Sequence, residues 1–249
     1  MFNPRNSSPF GMGRRSPFGG PRSPYQALPY GVESAQAGGL ISKVMLLLAF
    51  SFLFACIGTF IGFSVLQTSG AYLGVAVGGL IVLVVLHLAI RVQGLNLFLL
   101  YLFTFLEGMA LAPLIAYYTT SGQSNILGEA FLITAVTALS LAVYSWTTKR
   151  DFSRLGDYLF FGMILLLIAS VIGIFFQGLF STGFLGLFIS IFGVAIFSGY
   201  VLYYVQRAKY MADTLPNAIM LTVSLFITVL NLFLYILEFL SIAQGGRRR

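Results

Sequence analysis

The chain has 249 residues, of which 58% are hydrophobic and 8% charged, and its formal net charge is +7. A water-soluble domain carries about 25% charged residues, so a soluble globular fold is excluded. One cysteine, Cys56, rules out an internal disulfide, and one histidine, His87, rules out a metal centre built from several His or Cys ligands; neither a cofactor nor a nucleic-acid partner is expected.

In chain order, residues 1–38 come first and differ in kind from the rest, with six prolines, six glycines, five serines and four arginines. Too few apolar residues are present to offset ordering entropy, so this segment is predicted to be a disordered cytosolic tail. Its first long apolar run starts at Leu40, too late for a cleavable signal peptide. A short motif recurs in it: Ser8-Pro9-Phe10, Ser16-Pro17-Phe18 and Ser23-Pro24-Tyr25. Two readings stand, a docking or phosphorylation tail near an anionic leaflet and a plain basic topology anchor.

Between Lys43 and Arg91 there are 47 residues without Lys, Arg, Asp or Glu, and between Asp157 and Arg207 there are 49. A membrane-spanning helix needs about 20 apolar residues. Each stretch therefore holds two spans, with turn residues at Gln67-Thr68-Ser69-Gly70 and from Gln177 to Gly183. The predicted helices are 40–66, 71–90, 95–118, 126–147, 157–177, 184–206 and 217–240, an all-α integral membrane domain over 39–243 followed by a basic tail at 244–249. Continuous apolarity excludes a β-barrel, whose strands alternate over about 10 residues. With the N-terminus inside, eleven Lys and Arg fall in inner segments and only Arg247, Arg248 and Arg249 in outer ones. That asymmetry predicts a cytoplasmic N-terminus.

Polar residues inside the spans carry the functional information. Glu107 is the thirteenth residue of the third span, near mid-depth, where an acid costs about 3 kcal/mol unless paired, protonated or wet. It reads either as a proton- or cation-linked site or as a protonated carboxyl bonded to a neighbouring helix. Pro113, six residues on, removes a backbone donor and either hinges the helix or frees a carbonyl. In the last span Asn217, Ser224, Thr228, Asn231, Tyr235 and Glu238 are spaced seven, four, three, four and three apart, one face of a helix. That face is expected to point into the bundle. Ser224 and Thr228 can return hydrogen bonds to their own helix, whereas Asn231 is expected to look outward for a partner. Gly58/Gly62 and Gly74/Gly78 are small-residue pairs that allow close helix contact. His87, near the inner boundary, reads as interfacial. No HExxH, GxSxG or phosphate-binding glycine loop occurs, which argues against an enzyme.

Several stretches together carry a family resemblance: Phe103-Thr104-Phe105-Leu106-Glu107-Gly108 through Leu111-Ala112-Pro113; the loop from Thr147-Thr148-Lys149-Arg150-Asp151 to Leu155-Gly156; Phe197-Ser198-Gly199-Tyr200-Val201-Leu202-Tyr203; and Asn231-Leu232-Phe233. In order and spacing they resemble the Bax inhibitor-1 family of seven-helix membrane proteins, and more closely its bacterial YccA-like members. The resemblance implies six helices surrounding a more polar seventh, in a bacterial inner or plasma membrane. It also implies either a pH-sensitive calcium or cation leak linked to stress, or restraint of a membrane-bound AAA protease. Calcium-leak members carry an aspartate on each of the sixth and seventh helices; here Tyr204 and Thr228 stand at those positions. Hard divalent cations favour charged oxygens, and only a carboxylate pair shares a proton. The resemblance therefore leaves Glu107, Tyr204, Thr228 and Asn231 as the candidate proton or ion pathway, with no metal site.

Overall fold

A computed structural model of the chain describes residues 33–66, 69–175 and 184–245. Residues 1–32 of the predicted tail, the centres of both predicted hairpin turns and the terminal arginines lie outside them. Seven α-helices make up the regular structure of the described residues: α1 Glu33–Val65, α2 Ser69–Leu88, α3 Leu95–Thr120, α4 Ser124–Thr147, α5 Leu155–Phe175, α6 Phe184–Ala208 and α7 Leu215–Gly245. All seven are long and apolar enough to cross a membrane, and the chain is a multi-pass membrane protein.

Five of the helices lie within three residues of their predicted limits at both ends. α1 starts seven residues earlier than expected and α7 ends five later. Apolarity marks where the hydrocarbon begins, whereas backbone hydrogen bonding continues the helix through polar residues such as Glu33 and Gln244. Short turns reverse the chain. Gly94 and Gly122, with φ of 81° and 69°, take the left-handed conformation those reversals require.

The closest helix pair is α1 on α3, and glycine is the reason. A methyl group at Gly58 would run into the Phe105 carbonyl, and one at Gly108 into the Ala55 carbonyl. Both small residues let the backbones touch, and the Thr59 hydroxyl donates across the gap to the Gly108 carbonyl at 2.8 Å. The second predicted pair behaves differently: nothing lies within 4 Å of a Cβ placed at Gly74 or Gly78. The glycine of α2 that meets a neighbour is Gly79, which the i, i+4 pattern did not single out.

α7 is the spine, with 61% of its most apolar stretch buried, against 11% for α2 and 17% for α5. Its first half, from Ala218 to Phe226, joins a core with Leu40, Val44, Leu100, Phe103 and Val205. Its second half, from Leu232 to Leu237, joins another with Ile126, Leu159, Phe197 and Tyr200. Phe226 packs against Phe52 at 5.3 Å and Phe103 at 6.0 Å, and Phe233 stacks on Phe131 at 4.3 Å. The principal contacts of α7 are with four helices, α1, α3, α4 and α6, while α2 lies mainly on α3 and α5 mainly on α6. The two outer helices keep large apolar side chains such as Leu73, Leu80, Phe161 and Leu167 more than half exposed, which is where lipid replaces protein as the packing partner.

Candidate functional site

Glu107 is held on α3 one residue before Gly108, so the α1–α3 contact fixes its direction. Its carboxylate turns the other way, to α2: a Cβ at Gly79 would sit 3.2 Å from Glu107 Oε1, with Leu106 alongside. The missing side chain at Gly79 is what leaves room for the acid. Among the described residues Glu107 makes no hydrogen bond or ion pair. A carboxyl group inside a membrane span without a protein partner is costly to hold in its ionised form.

Pro113 lies inside an uninterrupted α3 and is exposed. Because proline has no N–H, the Met109 carbonyl one turn back loses its intrahelical donor, and Gly62 of α1 packs beside it. The neighbouring Gly108 carbonyl is the one that takes the Thr59 hydroxyl. The helix continues through the proline without a break.

The other candidates lie elsewhere. Thr228 Oγ1 donates to the Ser224 carbonyl at 2.7 Å and Ser224 Oγ to the Met220 carbonyl at 3.0 Å, both within α7. Asn231 does the same, Nδ2 donating to the Ile227 carbonyl at 2.8 Å. The expectation that it would seek a partner on another helix is corrected: an amide one turn above a carbonyl can satisfy a donor locally, as hydroxyls do. Tyr204 stacks on Tyr200 at 5.6 Å and meets Tyr203 edge-on at 5.3 Å, forming an aromatic column on α6. Thr228 and Asn231 share the face of α7 that Tyr235 continues. The Tyr235 ring lies over Gly193 of α6, where a methyl group would collide with it, and stacks on Phe197 at 5.6 Å. Glu107 points to α2, so no described contact joins it to these three residues.

The charged end of the bundle is tightly tied. Gln206, at the end of α6, is buried; its Oε1 accepts from the Phe152 N–H at 2.5 Å and its Nε2 donates to the Arg150 carbonyl at 2.7 Å. Lys209 donates to the Ser145 carbonyl at 2.8 Å and the Thr148 carbonyl at 3.4 Å, and its ammonium lies 5.6 Å from the Trp146 ring. A cation on the last carbonyls of α4 complements that helix end. Partial burial draws the Lys209 amine below its usual range. The loop between α4 and α5 is thus pinned to α6 while Lys149, Arg150 and Arg154 remain exposed. On the same end Lys43 of α1 pairs with Asp213 of the α6–α7 turn at 2.9 Å. Sequence reasoning missed the Gln206 clamp, although Gln206 follows the Phe197–Tyr203 stretch closely enough to have been read with it.

His87 Nδ1 lies 2.8 Å from the Leu83 carbonyl of its own helix. Among the described residues no three His, Cys, Asp or Glu side chains come together as metal ligands.

Residues 38–245 match the family model described as "Inhibitor of apoptosis-promoting Bax1". The chain is similar to a Golgi anti-apoptotic protein of vaccinia virus, 30% identical over 191 residues that cover 77% of this chain and 75% of the viral one. It is 31% identical over 217 residues to an uncharacterised protein of Campylobacter jejuni, covering 84% and 90% of the two chains. A third relative is Bax inhibitor 1 of Schizosaccharomyces pombe, 31% identical over 153 residues, 61% of this chain and 54% of the yeast one.

Proposed function

The chain belongs to the Bax inhibitor-1 family, and from that premise we propose that it is a non-catalytic, stress-linked modulator acting as a pH-dependent cation leak in a bacterial inner or plasma membrane, with its N-terminus cytoplasmic. The stress link rests on the family model and a viral relative, both of whose names refer to apoptosis. One observation carries the leak: the unpaired Glu107 carboxylate at mid-span, in the space left by Gly79. An ionised carboxylate there offers a passing cation a charged oxygen where lipid offers none, and its protonation removes that charge. With Tyr204 and Thr228 in place of aspartates, Glu107 is the titrating group of this proposal, and the neutral oxygens of Tyr204, Thr228 and Asn231 stand apart from it along the bundle. The lone carboxylate suits calcium poorly, since calcium prefers several oxygen ligands, so a less selective cation leak is expected.

The test is reconstitution into dye-loaded liposomes with calcium or a monovalent cation outside, across pH. Flux should rise with pH, and Glu107→Gln should insert and fold normally but flatten the profile. Absence of flux above empty vesicles at every pH would overturn the leak.

The pinned α4–α5 loop favours a second reading. A rigid basic surface at the charged end suits docking to a membrane-bound AAA protease, with residues 1–38 as a handle. Deleting that tail should weaken capture of the protease by the purified chain, and unchanged capture would remove the handle.

A further inference from the structure

At the end of the bundle away from the charged loops, the last turns of α3 and α7 border a groove of about 380 Å3. Glu238, Tyr118 and Ser241 supply its oxygens, and Leu114, Leu234, Leu237 and Ile242 its apolar walls. Glu238 is the final member of the polar face of α7 and neighbours none of the pathway residues in sequence or contact. Among the described residues none of these three side chains makes a hydrogen bond or ion pair. These oxygens are reachable from outside and hold no protein partner, so a molecule entering the groove can meet them without breaking an existing bond.

The lining decides what that is. Among the described residues it contains no Lys, Arg or His, so an anion would meet repulsion from Glu238 there. A divalent metal ion prefers six to eight oxygens, which one carboxylate and two hydroxyls do not approach. A neutral apolar molecule would seal the carboxylate in an apolar contact without compensation. An ammonium group on an apolar body meets each requirement. Its N–H donors suit a carboxylate and two hydroxyl oxygens, and the aliphatic walls take the body. A volume of about 380 Å3 is that of a small-molecule pocket.

The geometry points to a binding site for a free amphiphilic primary amine, with Glu238 as the counter-ion. A free amine fits better than an aminophospholipid, whose phosphate would enter a lining without a cation and approach Glu129, which accepts from Gln244 Nε2 at 2.8 Å one turn beyond the groove. The inference does not use Glu107, so it stands or falls apart from the leak.

The experiment uses the full chain in phosphatidylcholine nanodiscs, titrated calorimetrically with 2-phenylethylamine against empty nanodiscs. Saturable binding is expected, at least tenfold weaker in Glu238→Gln and a few-fold weaker in Ser241→Ala; 2-phenylethanol, lacking the charge, should bind both forms of residue 238 alike. An unchanged thermal melt of Glu238→Gln keeps a loss of binding from being a loss of fold. Repetition in nanodiscs containing phosphatidylethanolamine should leave the affinity unchanged, and competition by that lipid would overturn the free-amine assignment. No heat above empty nanodiscs, or equal affinity in wild type and Glu238→Gln, would overturn the site altogether.

Discussion

A side chain added at Gly108 has nowhere to go, because the backbone of Ala55 already fills the space, whereas one added at Gly74 meets nothing within 4 Å. Overpacking against side chains costs about 1–3 kcal/mol, and backbone yields less readily than side chains. Gly108→Leu is therefore expected to cost at least about 3 kcal/mol, seen as a clear drop in Tm in detergent, and Gly74→Leu to stay within about 0.5 kcal/mol. The sequence made the four paired glycines look alike, because i, i+4 spacing shows that two residues share a face but not whether a neighbour lies on it. Glu107 was legible for the opposite reason: an acid at mid-span stands out whatever its neighbours are. Its turn towards Gly79, and the local hydrogen bond of Asn231, depend on side-chain directions that spacing does not encode. Outside the membrane, Asp151 accepts the Ser153 N–H at 2.8 Å. Hydrogen bonds from the Ser153 side chain and backbone, helped by Arg154, hold its carboxyl below the usual carboxylate range. A lowered folded pKa stabilises the fold above the ordinary carboxylate pKa near 4, and that stabilisation is lost as pH falls through the lowered value. A carbon-13 NMR titration should give Asp151 a midpoint below that of an unstructured aspartate, and Ser153→Ala should move it upward.

The helices were the most legible elements, since each is an apolar run bounded by charge or glycine and α3, α4 and α6 needed almost no correction. The polar face of α7 correctly pointed to the most enclosed helix, but α7 is apolar and buried on its other faces too, from Leu221 and Phe226 to Leu232 and Leu237. Of the six helices that the resemblance implies around α7, four, α1, α3, α4 and α6, make its principal contacts, and α2 and α5 lie mainly on α3 and α6. The α4–α5 loop carries three basic residues and a serine in a short stretch, and the buried Gln206 side chain pins it at two points. Gln206→Leu would remove both bonds and leave the Phe152 N–H and the Arg150 carbonyl without protein partners. Losing a partly buried hydrogen bond costs about 0.5–1.5 kcal/mol, so amide exchange at Phe152 should quicken several-fold. Hydrogen exchange measured by mass spectrometry on peptides spanning 148–156 checks this; unchanged exchange there would mean that Lys209 alone holds the loop.

At the scale of the whole molecule, an odd number of antiparallel helices puts Glu33 of α1 and Gly245 of α7 at opposite ends of the bundle, and the charges of the two ends differ. Arg91, Lys149, Arg150, Arg154 and Lys209 lie in or beside the connections at one end, where Lys43 also pairs with Asp213. At the other end the described turns contain no Lys or Arg, and the charged residues of the helix ends there are Glu129 of α4 and, in its groove, Glu238 of α7. Basic residues in short connections are retained on the cytoplasmic side, so the end bearing the pinned loop should face the cytoplasm and the amine groove should open outward. Arg247, Arg248 and Arg249 pull against this arrangement, yet three charges at the end of the chain oppose a larger set distributed over several connections. Alkaline phosphatase, active only outside the cytoplasm, should be active when fused after Arg249 and inactive when inserted between Asp151 and Phe152; a green fluorescent protein at the same sites should show the reverse. Activity at the internal site with none at the C-terminus would invert the molecule, placing the basic loop outside and removing it as a cytoplasmic docking surface.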